Sequence, residues 1–350
     1  MNKHQINFIR NDCLQVLPWA NALLKLKNCS IYIAGASGFI GSWLLELISC
    51  LNDELNFNIN VVATSRDWSY LKKNCSHLYD NANFTFLNVD IINSFDIPEE
   101  CQWVIHLAAT PDKSVHSSNP LDVVHTIVQG TDNLIKSASR INNLQKIIYL
   151  SSGQVYGNQP NEIKSIDEKQ FFPSDCTSIF GCYVQAKRMA ENLCQIYRSQ
   201  MRLPIAILRP FAFIGPYQIL NKPWAINNFI CDALRGNKIY IEGNPNTVRS
   251  YMYPLDMAYW ILKYMINSQD GDVLNLGSSC GYSLFETAKL VVDNFSKDIS
   301  IQTTINSDSL SASCFVPNIE KAKRQYNLDI TVDLQDAIRR TIEWFKLESN

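Results

Sequence analysis

The 350-residue chain has no apolar run long enough to cross a bilayer, and its first 27 residues mix polar and apolar side chains too evenly for a secretory signal or an anchor. It has no excess of either charge. Its 31 Lys and Arg stand against 33 Asp and Glu, a net −2, so no electrostatic pull toward nucleic acid or an anionic membrane surface is expected. The five histidines lack metal-ligand spacing, and no metal site is expected. Cysteine is plentiful but lacks pairing patterns. Eleven residues, an odd number, are scattered from Cys13 to Cys314 without one C-x-x-C, which reads as the reduced thiols of a cytoplasmic protein. Repeats, low-complexity tracts and long linkers are also missing. What remains, 46% apolar and 18% charged residues, fits a globular protein with a substantial core.

Strand-like runs alternate with helix-like stretches over the first two thirds of the chain. Residues Ser30–Ala34, 59–64, 84–89, 103–107, 146–151 and 205–209 read as strands, and 40–51, 120–139 and 183–198 as helices. Several strands are apolar throughout, as expected where both faces are covered. The repeated unit therefore predicts an α/β fold with a doubly wound parallel sheet of the Rossmann kind. After Arg209 the rhythm breaks at Gly215-Pro216, Gly243-Asn244-Pro245 and Gly277. The predicted organisation is a helical arm (1–29), a main α/β domain (30–209) and a smaller lobe (210–350), with segments near 249–275 returning to the main domain. The arm has no legible purpose.

The first strand runs directly into Gly35-Ala36-Ser37-Gly38-Phe39-Ile40-Gly41 and then into a helix. Gly35 permits a tight turn, Gly38 lets backbone approach a pyrophosphate, and Gly41 lets helix and strand pack closely. The helix N-terminus favours negative phosphates. This loop predicts a dinucleotide. The second strand ends in Ser65-Arg66 rather than in a carboxylate, and a hydroxyl with a guanidinium suits a 2′-phosphate, so NADP is preferred over NAD. Two alternatives stay open: Arg66 as a solvated surface arginine, and Asp67 serving a ribose. Asp90 and Ile91 follow the third strand, where Asp90 is a candidate either to bond adenine or to cap the next turn.

Tyr183 and Lys187 lie four residues apart in a helical stretch and share one face. A nearby ammonium favours the phenolate, so the pair predicts a tyrosine of lowered pKa that exchanges a proton with a carbonyl or alcohol while hydride moves. Ser152, at the carboxyl end of a strand, is placed to hold the substrate oxygen.

These landmarks stand in one order: G-A-S-G-F-I-G, H-L-A-A at 106–109, S-S-G-Q-V-Y-G at 151–157, Y-V-Q-A-K-R from Tyr183, and R-P-F-A-F-I-G-P at 209–216. In this the chain resembles extended short-chain dehydrogenases/reductases of the nucleotide-sugar epimerase/dehydratase family, from Ser30 to the C-terminal helix. The resemblance implies Ser152, Tyr183 and Lys187 as the catalytic trio. It implies Leu107, Ala108 and Ala109 beside the cofactor and Arg249 on the diphosphate of a nucleotide sugar, with pairing to a carboxylate as the plainer alternative for Arg249. It also implies a homodimer through the helices 120–139 and 183–198. Ala212 and Thr126 stand where the family often has asparagine. Asn227 and Asn228 are candidates for nucleotide contacts, or one of them for the cap of a helix from 228 to 234.

Family dehydratases resemble one another in a Thr-Asp-Glu string where this chain has Ser152-Gly153-Gln154, and decarboxylases generally have glutamate at the last of these. Gly153 and Gln154, expected to face substrate, do not titrate, which argues against both reactions. Two reactions remain; F-A-F-I-G-P together with V-R-S-Y-M-Y before Asp256 resembles a subset of 4-ketoreductases of deoxyhexose pathways, which with Ser65-Arg66 implies reduction of a nucleoside-diphosphate 4-keto-6-deoxy sugar for surface-polysaccharide synthesis. A 4-epimerase with retained NAD is second, and a non-catalytic binding protein a distant third.

Overall fold

The structure, a computed structural model, describes residues 1–109, 112–160, 162–222, 224–296, 299–303 and 312–347. Seven strands form one all-parallel sheet: β1 (Ser30–Ala34), β2 (Asn60–Ser65), β3 (Phe84–Asn88), β4 (Cys101–His106), β5 (Lys146–Leu150), β6 (Ile205–Pro210) and β7 (Val273–Leu276). Their order is β7-β6-β5-β4-β1-β2-β3. The winding direction reverses between β1 and β4, which opens a crevice at the carboxyl ends of these two strands. The doubly wound parallel sheet expected from the sequence is the one formed.

Each face of the sheet is buried by its own helices. The arm carries α1 (Lys3–Leu14), and the glycine loop leads into α2 (Phe39–Leu55). The β4–β5 connection holds the short α3 (Lys113–Ser118) and the long α4 (Pro120–Ala138). Then come α5 (Cys182–Met201), α6 (Ala225–Leu234), α7 (Pro254–Asn267) and α8 (Leu334–Lys346). Ile31, Ile33, Ile105, Ile148 and Leu208 pack against α2 and α7 on one face. Tyr32, Val104, Ile147, Tyr149 and Ile207 pack against α4 and α5 on the other. Alternate residues of one strand thus face opposite layers, and both layers are apolar.

The arm is built into this core. Ile9, Cys13, Val16, Leu23 and Leu26 are fully buried. Asp12 accepts bonds from Arg340 of α8 (2.7 Å) and from the Tyr253 hydroxyl, joining the first helix to the last. Outside the main sheet, Val248–Met252 pairs with Gly281–Ser283, Cys314–Phe315 and Ala212–Phe213. This small sheet carries Arg249. No helix among the described residues is long and apolar enough to cross a membrane.

Candidate active site

The glycine loop sits at the crevice. Gly35 has φ +79°, and a side chain there would meet the Ala108 backbone at 2.7 Å, so only glycine lets β1 turn beneath the strand end of β4. A side chain at Gly41 would meet the Ala36 carbonyl at 2.2 Å, which fixes α2 close to β1. Gly38 is different. It is exposed, precedes the first turn of α2, and has nothing nearer than 3.9 Å where a side chain would stand. No side chain caps α2, so the amides of Phe39, Ile40 and Gly41 open onto that space. A backbone cradle facing the positive end of a 17-residue helix fits a dinucleotide pyrophosphate.

Ser37 and Ser65 share a 2.6 Å hydroxyl–hydroxyl bond at the ends of β1 and β2. Arg66 is half-exposed and reaches Asp122 at 3.4 Å, a weak surface pair that leaves most of its donors to solvent. Asp67 is committed to Ser69, accepting from its amide (2.8 Å) and hydroxyl (2.7 Å). Asp90 accepts from the Ile92 amide at 3.1 Å and so caps its turn, while Ile91 is buried against Gly130. The Leu107 amide donates to Ala34 (2.8 Å) and that of Ala108 to His106 Nδ1 (3.3 Å). Ala109, the last residue of the motif, is half-buried beside them. His106 is buried, and burial, then the charge of Lys187, holds its pKa down to about 3. As a neutral ring it accepts at Nδ1 and donates from Nε2 to Thr131 at 3.0 Å.

Ser152, Tyr183 and Lys187 come together over the carboxyl end of β5. Tyr183 opens α5 and is 5% exposed. Its phenol differs from the sequence expectation. Burial pushes it up to about 12, and the Ser152 hydroxyl beside it pulls the other way. Lys187 does share the face of Tyr183. Its ammonium, however, donates to the Leu150 carbonyl at 2.7 Å and lies 4.8 Å above the Tyr149 ring. Only 2% exposed, the amine is itself brought down to about 7 by burial, against the opposing pull of Glu191. In place of the expected acidified tyrosine, burial moves both groups toward their uncharged forms, the phenol up and the amine down.

On the substrate side, Gly153 is buried, and a side chain there would lie 2.9 Å from the Phe211 ring and 3.0 Å from that of Phe315. The two rings stack at 4.7 Å. Gln154, half-buried, follows in the short turn that Ser152 caps by accepting from the Gln154 amide at 3.1 Å. Arg249 is held by neutral groups, donating to the Val248 and Ser313 carbonyls (2.8 and 3.1 Å) and to the Ser313 hydroxyl (2.9 Å). Burial lowers its pKa. It has no carboxylate partner among the described residues, contrary to the plainer alternative. Helix α6 begins at Ala225 with Trp224 before it, so neither Asn227 nor Asn228 caps it. Asn227 is fully buried, donates to the Ile219 carbonyl at 3.1 Å and leaves its own side-chain oxygen without a partner, whereas Asn228 is exposed. Thr126 is buried with an unpartnered hydroxyl.

Sequence reasoning passed over His116, whose ring stacks on that of Tyr183 at 4.3 Å and 13°. It also passed over the Phe211–Phe315 pair. Phe211 lies within the R-P-F-A-F-I-G-P run, but Phe315 has no motif around it, and nothing local in the sequence joins them. A cleft of about 540 Å³ between Phe171, Arg188 and Val273 is lined by the face of α5 that bears Glu191 and Gln195, not by Tyr183 or Lys187.

The model of the NAD dependent epimerase/dehydratase family matches residues 31–277. The chain is 25% identical to UDP-glucuronic acid decarboxylase 1 of Xenopus tropicalis, over 99% of this chain and 79% of that protein. It is 27% identical to UDP-glucuronic acid decarboxylase 3 of Arabidopsis thaliana, over 95% of this chain and 94% of that protein. Its fold superposes on UDP-glucuronic acid 4-epimerase from Bacillus cereus, solved with UDP-glucuronic acid and NAD. The TM-score is 0.76 at 23% identity, with 91% of this chain and 99% of that one covered.

Proposed function

Because the chain belongs to the NAD-dependent epimerase/dehydratase family, we propose that it reduces a ketone at C4 of a 6-deoxy sugar carried on a nucleoside diphosphate. The observation that carries this reading is the Tyr183 phenol, buried beside the Ser152 hydroxyl and kept in its neutral form by that burial, while Gly153 and Gln154 next to this serine offer no second acid or base. A protonated phenol is a proton donor, which is what a ketone needs as it becomes an alcohol. A bound nicotinamide dinucleotide supplies the hydride and is oxidised. Ser152 donates a hydrogen bond that orients the ketone oxygen, and Tyr183 gives its proton to that oxygen as negative charge develops on it. Lys187, on the same face of α5, supplies positive charge toward the phenolate left behind. The amides at the start of α2 hold pyrophosphate, and Ser65 and Arg66 favour a 2′-phosphate and hence NADPH. Arg249 serves the diphosphate of the sugar nucleotide, with Asn227 and Asn228 beside the nucleotide.

No acid or base stands at Gly153, where the Phe211 and Phe315 rings fill the space a side chain would take. Dehydration and decarboxylation both call for more proton chemistry than the trio provides, and the same aromatic wall suits a sugar whose C6 is apolar. The curated relatives named as decarboxylases are therefore a guide to nucleotide-sugar chemistry more than to this reaction. C4 epimerisation with retained NAD is the second reading, favoured by the pairing of Arg66 with Asp122. The test is a panel of 4-keto and 4-hydroxy sugar nucleotides with absorbance followed at the NADPH band, and Tyr183→Phe as the control. Stoichiometric NADPH consumption that Tyr183→Phe abolishes supports reduction. Interconversion of C4 epimers without net change in absorbance would overturn it in favour of the epimerase.

A further inference from the structure

From the stacking of His116 on Tyr183 we infer that His116 is a positioning residue for the phenol, held in place by an ion pair to the substrate lobe. The inference rests on the role proposed above for Tyr183. His116 lies on α3, is 5% exposed, and presents its ring parallel to the tyrosine ring at 4.3 Å and 13°. Ser152 acts on the hydroxyl end of the same phenol. A tyrosine in the first turn of a helix has a broad, soft torsion about its ring bond. A flat group against one face narrows that torsion and so fixes where the hydroxyl points.

Helix α3 has only six residues, too short to hold its own orientation, and it is tied at both ends. At its head, Asp112 accepts from the Ser114 amide (2.9 Å) and hydroxyl (2.7 Å). The other carboxylate oxygen of Asp112 takes Lys222 at 2.5 Å. Asp112 is buried, and the Lys222 bond, then Ser114, brings its pKa down to about 2, so its carboxylate is charged throughout the working range. Lys222 belongs to the same loop as Ile219, whose carbonyl holds Asn227. At the tail of α3, the Cys182 thiol lies 3.7 Å from the His116 carbonyl. The platform under Tyr183 is thus connected through Lys222 to the loop whose Ile219 carbonyl holds the candidate nucleotide contact Asn227.

The test compares His116→Ala, His116→Phe and the intact chain, with 3-fluorotyrosine incorporated and the Tyr183 resonance assigned from Tyr183→Phe. His116→Ala should shift or broaden that resonance, and His116→Phe, which restores a flat ring, should bring back a single sharp line. In turnover, His116→Ala should lower kcat about tenfold to a hundredfold, the range expected of a reacting group displaced by up to an ångström, with NADPH affinity and KM nearly unchanged. His116→Phe should recover most of kcat. An unmoved Tyr183 resonance, an unaltered kcat in His116→Ala, or a phenylalanine variant as slow as the alanine one would each overturn the inference. If the intact chain turns over no nucleotide sugar, the proposed function fails alone, and the fluorine resonance still decides whether His116 orders the phenol.

Discussion

Lys187→Met separates what the buried amine does for the reaction from what it does to the fold. Lys187 is 2% exposed, and burial takes its pKa from an ordinary 10.5 to about 7. At about 1.4 kcal/mol for each tenfold change, that fall corresponds to roughly 5 kcal/mol set against the charged form in the folded state. The sign follows from proton counting. Between about 7 and 10.5 the unfolded chain binds a proton at this lysine and the folded chain does not, so stability rises with pH across that window. Below it both states are protonated, and the full penalty is present. Methionine has nearly the same length and no charge, so the variant carries no such slope, although it loses the bond to the Leu150 carbonyl. A hydrogen bond from a charged group contributes about 1.5–3 kcal/mol, so at pH 6 the variant should still be more stable by about 2–3 kcal/mol. The gap should close as the pH is raised, moving by roughly 2 kcal/mol between pH 7 and 9. Urea midpoints of both proteins at pH 6, 7, 8 and 9 measure this directly, and pH effects common to both chains cancel in the difference. Turnover of Lys187→Met should be strongly reduced at every pH. Parallel stability curves would refute the assignment of a desolvated, depressed amine.

If Arg66 grips a 2′-phosphate, Arg66→Ala should weaken NADPH binding about tenfold to a hundredfold while leaving NADH binding nearly as it was. Equal effects on both cofactors by fluorescence titration would make Arg66 only the surface partner of Asp122. Glu191→Gln should lower stability by about 3–5 kcal/mol, since Arg209, 3% exposed, would keep its charge and lose a carboxylate that it now holds at 2.6 and 2.9 Å. A urea midpoint within experimental error of the parent would remove that pair from the framework of α5 and β6. Leu121, Met189 and Ile196 project from α4 and α5 at 71%, 45% and 39% exposure, so the chain should sediment as a dimer at micromolar concentration and Met189→Glu should dissociate it. A monomer in the parent protein would count against that surface.

The parts of the molecule legible in the sequence are those in which one short segment contains both the cause and the consequence. Gly35, Gly38 and Gly41 stand within seven residues, and the structure shows the turn at Gly35, the close packing at Gly41 and open space at Gly38. The apolar runs of the sheet were legible because burial on both faces leaves no alternation to misread. The cap of α6 was not. Two asparagines before an apolar stretch invite a helix starting at 228, but the buried Asn227 side chain bonds Ile219, and the helix begins at Ala225. The arm was unreadable for a similar reason, since its anchor is a pair between Asp12 and Arg340 at opposite ends of the chain.

The proposed catalytic trio falls between these cases. A spacing of four residues put Tyr183 and Lys187 on one face of a helix, and that geometry holds. Spacing says nothing about desolvation. Burial acts with opposite sign on an acid that is neutral when protonated and on a base that is charged when protonated, so one apolar environment lifts Tyr183 to about 12 and lowers Lys187 to about 7. An exposed pair with the same spacing would be a phenol drawn toward its anion by a permanent ammonium, better suited to taking a proton from an alcohol. In the buried pair each group is instead held toward its uncharged form, which for the phenol is the form that donates a proton. That opposite displacement comes from the packing around Tyr183 and Lys187 rather than from the Tyr-x-x-x-Lys pattern itself.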